Sequence, residues 1–305
     1  MALFDRKIVW EKLGLVITPR RDLWWMQTHA MVPTVQPVPN GGLRIYFSGR
    51  SAENVSHIGW AEIDLARPTE IRDFSAEPVL SPGELGCFDD NGVTPSSVVS
   101  HAGRTYLYYI GWNPGSTVRM HLFGGLAVCE DDGLTFTRAS RAPVLERCPT
   151  NPFLNTAPFA LCEDGRWRMY FVSGVGWQHR DLPRYNIQYA TSKDGLHWDR
   201  DGTVAIDFAS EDETALARPF VLKDDGRYKM WFAHKGEAYR LGYAESEDGT
   251  TWHRNDDFAG LAPSEDGWDS DMVEYAAVVK HEGRYLMFYN GNNYGFDGIG
   301  LAVGA

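Results

Sequence analysis

The feature that most constrains the fold is a turn followed by an aromatic, apolar strand, which occurs five times along the 305-residue chain. The five copies are residues 43–47, 104–109, 166–171, 227–232 and 284–289. Aligning their central aromatic residues (Tyr46, Tyr108, Tyr170, Trp231 and Phe288) gives steps of 62, 62, 61 and 57 residues. Because a period of that length accommodates four short strands and their turns, the chain is predicted to be a radial array of small sheets.

A second pattern lies in phase with the first and predicts the next strand of each unit. Its copies are residues 58–61, 125–128, 187–190, 241–244 and 299–302. In three units this strand runs into an acidic turn with an Asp-Gly step, which supplies the positive φ that a hairpin turn needs. Since one active site cannot be present three times, Asp131, Asp194 and Asp248 of these turns are assigned a structural role.

The two patterns together predict an all-β protein with one domain, residues 1–305. The predicted architecture is a five-bladed β-propeller of four-stranded antiparallel blades around a central channel. A four-stranded sheet alone cannot bury both faces, so the units must stack, and five of them can close a ring. The blades are expected at residues 25–85, 86–148, 149–208, 209–264 and 265–305, the last closed by the N-terminal strand. Eleven Trp, fourteen Tyr and fifteen Phe fit sheets that pack face to face.

Charge and composition argue against several classes of partner. The chain has 29 Lys and Arg against 41 Asp and Glu, a net charge of −12, and no cluster of five basic residues. This disfavours nucleic acid and anionic membranes as partners. No segment approaches the roughly 18 apolar residues of a membrane span, and residues 1–7 do not resemble a signal peptide. Cys87, Cys129, Cys148 and Cys162 lack a C-x-x-C spacing and are expected to be reduced thiols, so a cytoplasmic location is predicted.

The predicted catalytic residues are carboxylates that precede the first strand of three blades. In a propeller these first strands line the channel, and each lies just ahead of an aromatic strand. Carboxylates arriving at one pit from several blades are what acid–base chemistry on a glycosidic bond requires. We therefore predict Asp90, Glu213 and Asp271 as the catalytic residues. The alternatives are a turn-shaping role for Asp90 and a solvated loop for Glu213.

The same end of the channel supplies the predicted substrate-binding residues. They are Trp25, His29, Asn155, Arg218, His234, Glu274 and Asn290. Several have alternative roles. Arg218 either pairs with a carboxylate such as Glu274 or clamps an anionic group of the ligand. The two histidines bind a sugar hydroxyl or a protein neighbour, Trp25 stacks on a sugar or packs between blades, and Asn290 faces the pocket or caps the ring closure.

No cofactor is required by these patterns, and no spacing specifies a metal. Calcium in the channel is compatible with oxygen ligands that converge there. The expected partner is a carbohydrate or a sugar-containing small molecule. The sequence does not specify an oligomeric state.

Over the whole chain, the repeat resembles the five-bladed propeller glycoside hydrolases and phosphorylases of families 32, 43, 62, 68 and 130. The similarity is strongest at residues 192–198 (SKDGLHW) and 246–252 (SEDGTTW). Residues 90–96 (DNGVTPS) and 267–272 (GWDSDM) look like a bacterial hydrolase-like branch associated with surface polysaccharide assembly. The first-blade Asp of families 32 and 43 has no counterpart near Val32, and their third-blade Glu is replaced at Asn155. The resemblance thus implies that any catalytic acids come from blades two, four and five.

The main functional hypothesis is a carbohydrate-active, glycoside hydrolase-like enzyme that cleaves or transfers a glycosyl unit. A phosphorylase, with phosphate as the attacking group, is a variant of it. A second class is a non-catalytic sugar-binding or scaffold propeller, which the missing first-blade Asp favours. A third is an enzyme of polysaccharide biosynthesis that acts on a nucleotide-linked sugar.

Overall fold

The computed structural model describes residues 3–39, 41–130 and 133–305 and is built almost entirely of strands. The strands are β1 (Trp10–Ile17), β2 (Thr28–Pro37), β3 (Gly42–Arg50), β4 (Ser56–Asp64), β5 (Arg67–Phe74), β6 (Val93–His101), β7 (Arg104–Pro114), β8 (Met120–Cys129), β9 (Thr137–Arg138), β10 (Asn155–Glu163), β11 (Arg166–His179), β12 (Leu182–Ser192), β13 (Val204–Ile206), β14 (Ala215–Asp224), β15 (Arg227–Lys235), β16 (Tyr239–Ser246), β17 (His253–Arg254), β18 (Glu274–His281), β19 (Arg284–Asn290) and β20 (Ile299–Gly304). A 3₁₀ turn at Asp256–Ala259 and a helical turn, α1 (Asn292–Gly295), complete the described elements. The prediction of an all-β protein is confirmed.

Antiparallel pairing divides the strands into groups of four. The groups are β2–β5, β6–β9, β10–β13, β14–β17, and β18–β20 with β1. In the last group the N-terminal strand pairs with the C-terminal one, from Trp10 opposite Gly304 to Ile17 opposite Ile299. The repeated aromatic segments form the second strand of each group: β3, β7, β11, β15 and β19.

The first strands of the groups lie against one another in a closed cycle. β2 contacts β6, and the contacts continue through β10, β14 and β18 back to β2. The structure is therefore propeller-like, with the sheets arranged around the first strands. No helix in the described ranges is both long and apolar enough to cross a membrane.

Neighbouring groups are joined by tyrosines of the second strands. The buried hydroxyls of Tyr108 and Tyr170 donate to the carbonyl oxygens of Gly195 (2.6 Å) and Gly249 (2.7 Å), and Tyr46 contacts Gly133 in the same way. These glycines belong to the acidic turns and take positive φ, 74° at both Gly195 and Gly249. The recurrent turns thus receive a hydrogen bond from the preceding group.

The carboxylates of these turns stabilise the turns themselves. Asp194 accepts hydrogen bonds from the backbone N–H groups of Leu196 and His197, and Asp248 does the same further along the chain. Asp131 and Asp132 lie outside the described residues. Asp194 and Asp248 therefore carry the structural role that the repeat predicts.

Four of the first strands bend at a left-handed residue near their N-terminal end, and β2 has a second one at His29 (φ 61°). The residues at the four bends are Val32 (φ 56°), Ala157 (46°), Arg218 (50°) and Tyr275 (56°). The register of pairing shifts at each of them, as it does in a β-bulge. Positive φ is unfavourable for residues other than glycine, and bulges re-aim side chains. The bends thus set the direction of the side chains at this end of the cycle.

Candidate functional site

The loops ahead of three first strands are held by buried carboxylates. Asp89 accepts hydrogen bonds from Tyr109 (2.9 Å) and Arg138 (2.8 Å) of its own group. Asp269 accepts them from Tyr289 (2.9 Å) and Lys12 (2.6 Å) of the last group. Each carboxylate links the loop to the second strand and to a cation from the outer edge of one group. The recurrence of acids in these loops therefore has a structural cause.

Glu213 occupies the corresponding position in the β14–β17 group. It is 4% exposed and accepts two bonds from Arg254 (2.7 and 2.8 Å), while His234 Nδ1 lies 2.9 Å from its Oε1. Burial opposes ionisation, but the bonds from Arg254 and His234 outweigh it and hold the pKa of Glu213 at about 2. Glu213 and His234, predicted as catalytic and binding residues, are thus partners within one group.

The other two predicted catalytic acids lie in loops. Asp90 is half-buried and accepts hydrogen bonds from the Gly86 N–H and the Asn113 side chain, both 2.8 Å long. Asp271 is exposed, and its backbone N–H donates to Asn292 Oδ1 (2.8 Å). Asp271 lies in the loop three residues before β18, accessible to solvent.

Glu274, the first residue of β18, is fully buried and differs from all of these acids. Neither of its carboxyl oxygens meets the geometry of a hydrogen bond with a described residue, although the neighbouring Tyr275 hydroxyl interacts with it. Burial raises the pKa of Glu274 well above its ordinary value; the interaction with the Tyr275 hydroxyl and the charge of Lys235 act in the opposite direction without outweighing it. Burial therefore favours the protonated form of this carboxyl group, which is the form that has a proton to donate.

Tyrosines from three groups interact electrostatically with Glu274. The hydroxyls of Tyr185 and Tyr239 lie 2.7 Å apart, and the rings of Tyr239 and Tyr275 are 6.1 Å apart. Burial raises the pKa of Tyr185 to about 12, so the phenol is neutral. We call Glu274, Tyr185, Tyr239 and Tyr275 the Glu274 cluster. It combines one acid with aromatic faces and hydroxyl groups, which suits a sugar ring.

Arg218 extends from the bend of β14 and is 2% exposed. Its Nη2 donates to the Pro33 carbonyl (2.6 Å) and to Thr34 Oγ1 (2.8 Å) of β2. Nε and Nη1 are buried without a hydrogen-bond partner in the described structure. Burial lowers the pKa of Arg218 to about 9, with Tyr275 opposing the shift. Arg218 is therefore still a cation at neutral pH, and it lies close to the Glu274 cluster.

Two further predicted binding residues lie in the first group. Trp25 is fully buried against Phe47 and Phe74, and its Nε1 donates to the Ala76 carbonyl (3.1 Å). His29 is half-buried beside Thr28, and burial, together with the nearby Arg50, lowers its pKa to about 4. Trp25 thus packs in the core, and His29 is neutral near pH 7.

The two asparagines predicted to bind substrate are fully buried, and their side chains hydrogen-bond to the protein backbone. Asn155 accepts a hydrogen bond from Ser173 (2.9 Å) and donates to the Asn151 carbonyl (2.9 Å). Asn290 donates to the carbonyls of Ala30 and Gly298 (both 2.8 Å) and accepts from the Val32 N–H (2.7 Å). Asn290 therefore connects the first and last groups.

Calcium would need several converging oxygen ligands. Among the described residues there is no cluster of three or more His, Cys, Asp or Glu side chains that could hold a metal. Arg218, a donor without acceptor capacity, occupies the same end of the first strands. The donor set found there does not fit calcium.

Comparison with known structures supports the fold. A solved structure named "Glycoside hydrolase" matches with a TM-score of 0.75 at 20% identity, covering 99% of this chain and 93% of the other protein. A thermostable family-43 glycoside hydrolase matches with 0.68 at 18% identity, covering 90% and 89%. A structure from the GH130 family of mannoside phosphorylases matches with 0.75 at 14% identity, covering 99% and 95%. The resemblance to propeller-like glycoside hydrolases is confirmed at the level of the fold.

Sequence comparison finds full-length relatives. No family model matches the chain. Two proteins of Mycobacterium tuberculosis, Uncharacterized protein Rv1502 of strain H37Rv and Uncharacterized protein MT1551 of strain CDC 1551, are each 41% identical over 297 residues. The alignments cover 97% of this chain and 99% of each relative. The chain therefore belongs to the Rv1502 family and has the fold of the propeller-like glycoside hydrolases.

Proposed function

We propose that the protein is a carbohydrate-active, glycoside hydrolase-like enzyme that cleaves or transfers a glycosyl unit, with Glu274 as its general acid. The observation that carries this proposal is the environment of Glu274. It is fully buried, neither carboxyl oxygen has a partner in the described structure, and its pKa is raised by burial. A carboxylic acid whose protonated form is favoured in this way is suited to protonate a leaving glycosidic oxygen.

The proposed architecture around the acid is a five-bladed propeller formed by one domain. The closed cycle of first strands supports it, and so does the pairing of β1 with β20, which would close the last blade. The N-terminal ends of the first strands would then surround the pit, with Glu274 on β18 and Arg218 on β14. The blades would follow the predicted boundaries.

The proposed reaction breaks the bond between the anomeric carbon and the leaving oxygen. The Glu274 proton goes to that oxygen while an external nucleophile, water or a second hydroxyl, attacks the anomeric carbon. A base accepts the proton of the nucleophile, and Asp271, exposed three residues before Glu274, is our candidate for it. The hydroxyls of Tyr185 and Tyr239 would orient the sugar. Asp90 and Glu213, whose oxygens already accept bonds from protein groups, remain predictions for the same chemistry.

The test is product analysis on a panel of 4-nitrophenyl glycosides and oligosaccharides, with water alone or with added inorganic phosphate. The wild type should release a free sugar or transfer it to an acceptor, whereas Glu274→Gln, which cannot donate the proton, should not. Glu282→Gln, an exposed glutamate at the other end of the same hairpin, is the matched control. Turnover retained in Glu274→Gln would refute the role of the acid.

Phosphorolysis and binding without turnover give different results in the same assay. A sugar 1-phosphate formed only with added phosphate would identify phosphate as the nucleophile. Sugar binding by wild type without product, equally tight in Glu274→Gln, would favour a non-catalytic propeller.

A further inference from the structure

Arg218 is the most unusual charged residue of the first strands because it reaches past a neighbouring strand. It lies on β14, while its Nη2 hydrogen bonds are made with Pro33 and Thr34 on β2. In the cycle of first strands, β18 lies between β14 and β2. The guanidinium group therefore extends across the inside of the cycle, at the end where Glu274 is located.

Charge balance distinguishes Arg218 from Arg44, the other arginine that is almost fully buried. Arg44 forms an ion pair with Glu62 at 2.5 Å. Arg218 has no carboxylate partner in the described ranges, and its Nε and Nη1 bond to nothing there. Burying a charge without a partner is unfavourable, and such charges in proteins are normally paired. The structure thus leaves two guanidinium donors without an acceptor.

Other first strands of the cycle also carry polar groups without a partner among the described residues. Ser96 on β6 and Thr156 on β10 carry buried hydroxyls that have no partner in the described structure. Arg50 interacts electrostatically with Tyr275, as Arg218 does, and forms no ion pair with a described carboxylate. Burial raises the pKa of the nearby Glu274 carboxyl group, which favours its uncharged form. Guanidinium and hydroxyl donors without a counter-charge fit an oxyanion.

We propose that Nε and Nη1 of Arg218 bind an oxyanion, a phosphate or carboxylate group, beside the proposed acid Glu274. The position of the oxyanion beside a glycosidic bond rests on the proposed function. Binding of the oxyanion itself does not require turnover. The oxyanion has two possible sources, a free phosphate ion or an anionic group on the sugar. A guanidinium presents two parallel donors to either of them.

The experiment is isothermal titration calorimetry on the full-length protein with inorganic phosphate, glucuronate, glucose 1-phosphate and glucose. We expect the wild type to bind at least one of the three anions and to bind it more tightly than glucose. Arg218→Gln should weaken this binding about tenfold or more, because it removes a charge-assisted bidentate contact. Arg240→Gln removes the same charge from an exposed arginine whose Nη1 donates to two backbone carbonyls, and is the control for general electrostatics.

The three anions distinguish the two sources. Binding of inorganic phosphate alone identifies the free ion, whereas binding of glucuronate or glucose 1-phosphate but not of phosphate identifies a group on the sugar. Absence of binding by all three anions, or equal weakening in Arg218→Gln and Arg240→Gln, overturns the proposal.

A second variant, Thr34→Val, distinguishes loss of anion binding from loss of folding in Arg218→Gln. This substitution removes one of the two contacts of Nη2 and leaves Nε and Nη1 in place. It should lower thermal stability but retain anion binding, and loss of binding without loss of stability would contradict the proposal. Glu274→Gln should still bind the anion. Failure of the catalytic proposal and failure of the anion site are therefore distinguishable.

Discussion

Glu213 and Glu274 are both buried glutamates near the start of a first strand, in neighbouring groups of the ring, but they have opposite electrostatics. Glu213 is surrounded by Arg254 and His234, and its pKa is held at about 2. Glu274 has no partner for either oxygen among the described residues, and burial raises its pKa. Burial alone therefore does not identify a reactive carboxyl group, and the partners of that group decide its role.

The largest expected difference between the two glutamates is in turnover. Glu274→Gln keeps the shape of the side chain but removes the proton that the proposed reaction needs. The resulting decrease in kcat/KM should be about 10²- to 10⁴-fold. Steady-state kinetics on the glycoside found in the product assay measures it. An equal decrease in kcat/KM in a fully folded Glu213→Gln protein would show that the two glutamates do not differ in their role in turnover.

The second difference is in stability. Glu213→Gln leaves Arg254 and His234 without their shared carboxylate, although Asp256 still pairs with Arg254 at 2.7 Å. Removing one member of a buried ion pair should lower the free energy of unfolding by about 3 kcal/mol. Denaturant unfolding measures this change, with the exposed Glu211→Gln as control. A stable Glu213→Gln protein would show that the network is not structural.

The pH dependence of stability should have opposite signs for the two groups. The lowered pKa of Glu213 stabilises the fold above its unfolded value of about 4.3, and this contribution is lost as pH falls toward about 2. The raised pKa of Glu274 favours the protonated fold, so its contribution decreases as pH rises above the unfolded value. Glu274→Gln should therefore unfold at a higher temperature than wild type at neutral pH. A lower unfolding temperature would contradict a neutral, unpaired Glu274.

The smallest expected effect concerns Lys235, whose charge partly opposes the raised pKa of Glu274. Lys235→Met should raise that pKa further and shift the alkaline limb of the pH–rate profile upward by less than about one pH unit. Lys193→Met, an exposed lysine in one of the acidic turns, should leave the profile in place. A downward shift would mean that Lys235 does not act through Glu274.

The strands and turns could be predicted because their signals are local. An aromatic strand and an Asp-Gly turn are specified within a few neighbouring residues, and the period of about sixty residues repeats them. The structure contains the aromatic strands where the sequence predicts them, and the acidic turns at residues 192–195 and 246–249. Glu274 also stands out in the sequence, because a charged residue on a first strand is unusual.

The roles within the site could not be predicted because they depend on distant partners. Glu213 bonds to Arg254, 41 residues away, and against the opposing effect of burial that contact contributes most to lowering its pKa. Tyr185 and Tyr239 come from two different groups and lie in segments with no motif. Their proposed role in orienting the sugar follows only from their proximity to Glu274 in the fold. A single sequence does not show which residues of different groups lie close together.

The hydrogen bonds from Tyr108 and Tyr170 to the glycine carbonyls have a consequence for how this family can diversify. Each bond ties a strand of one group to a turn of the next, so an insertion in that turn disturbs two groups at once. Loop length should therefore be uniform among relatives at this end of the ring. Among the described residues, the turn between β3 and β4 at the opposite end hydrogen-bonds only within its own group. New substrate preferences should arise at the opposite end, by lengthening or shortening of loops. The end with the tyrosine–glycine hydrogen bonds should keep its loop lengths, and the ring its size.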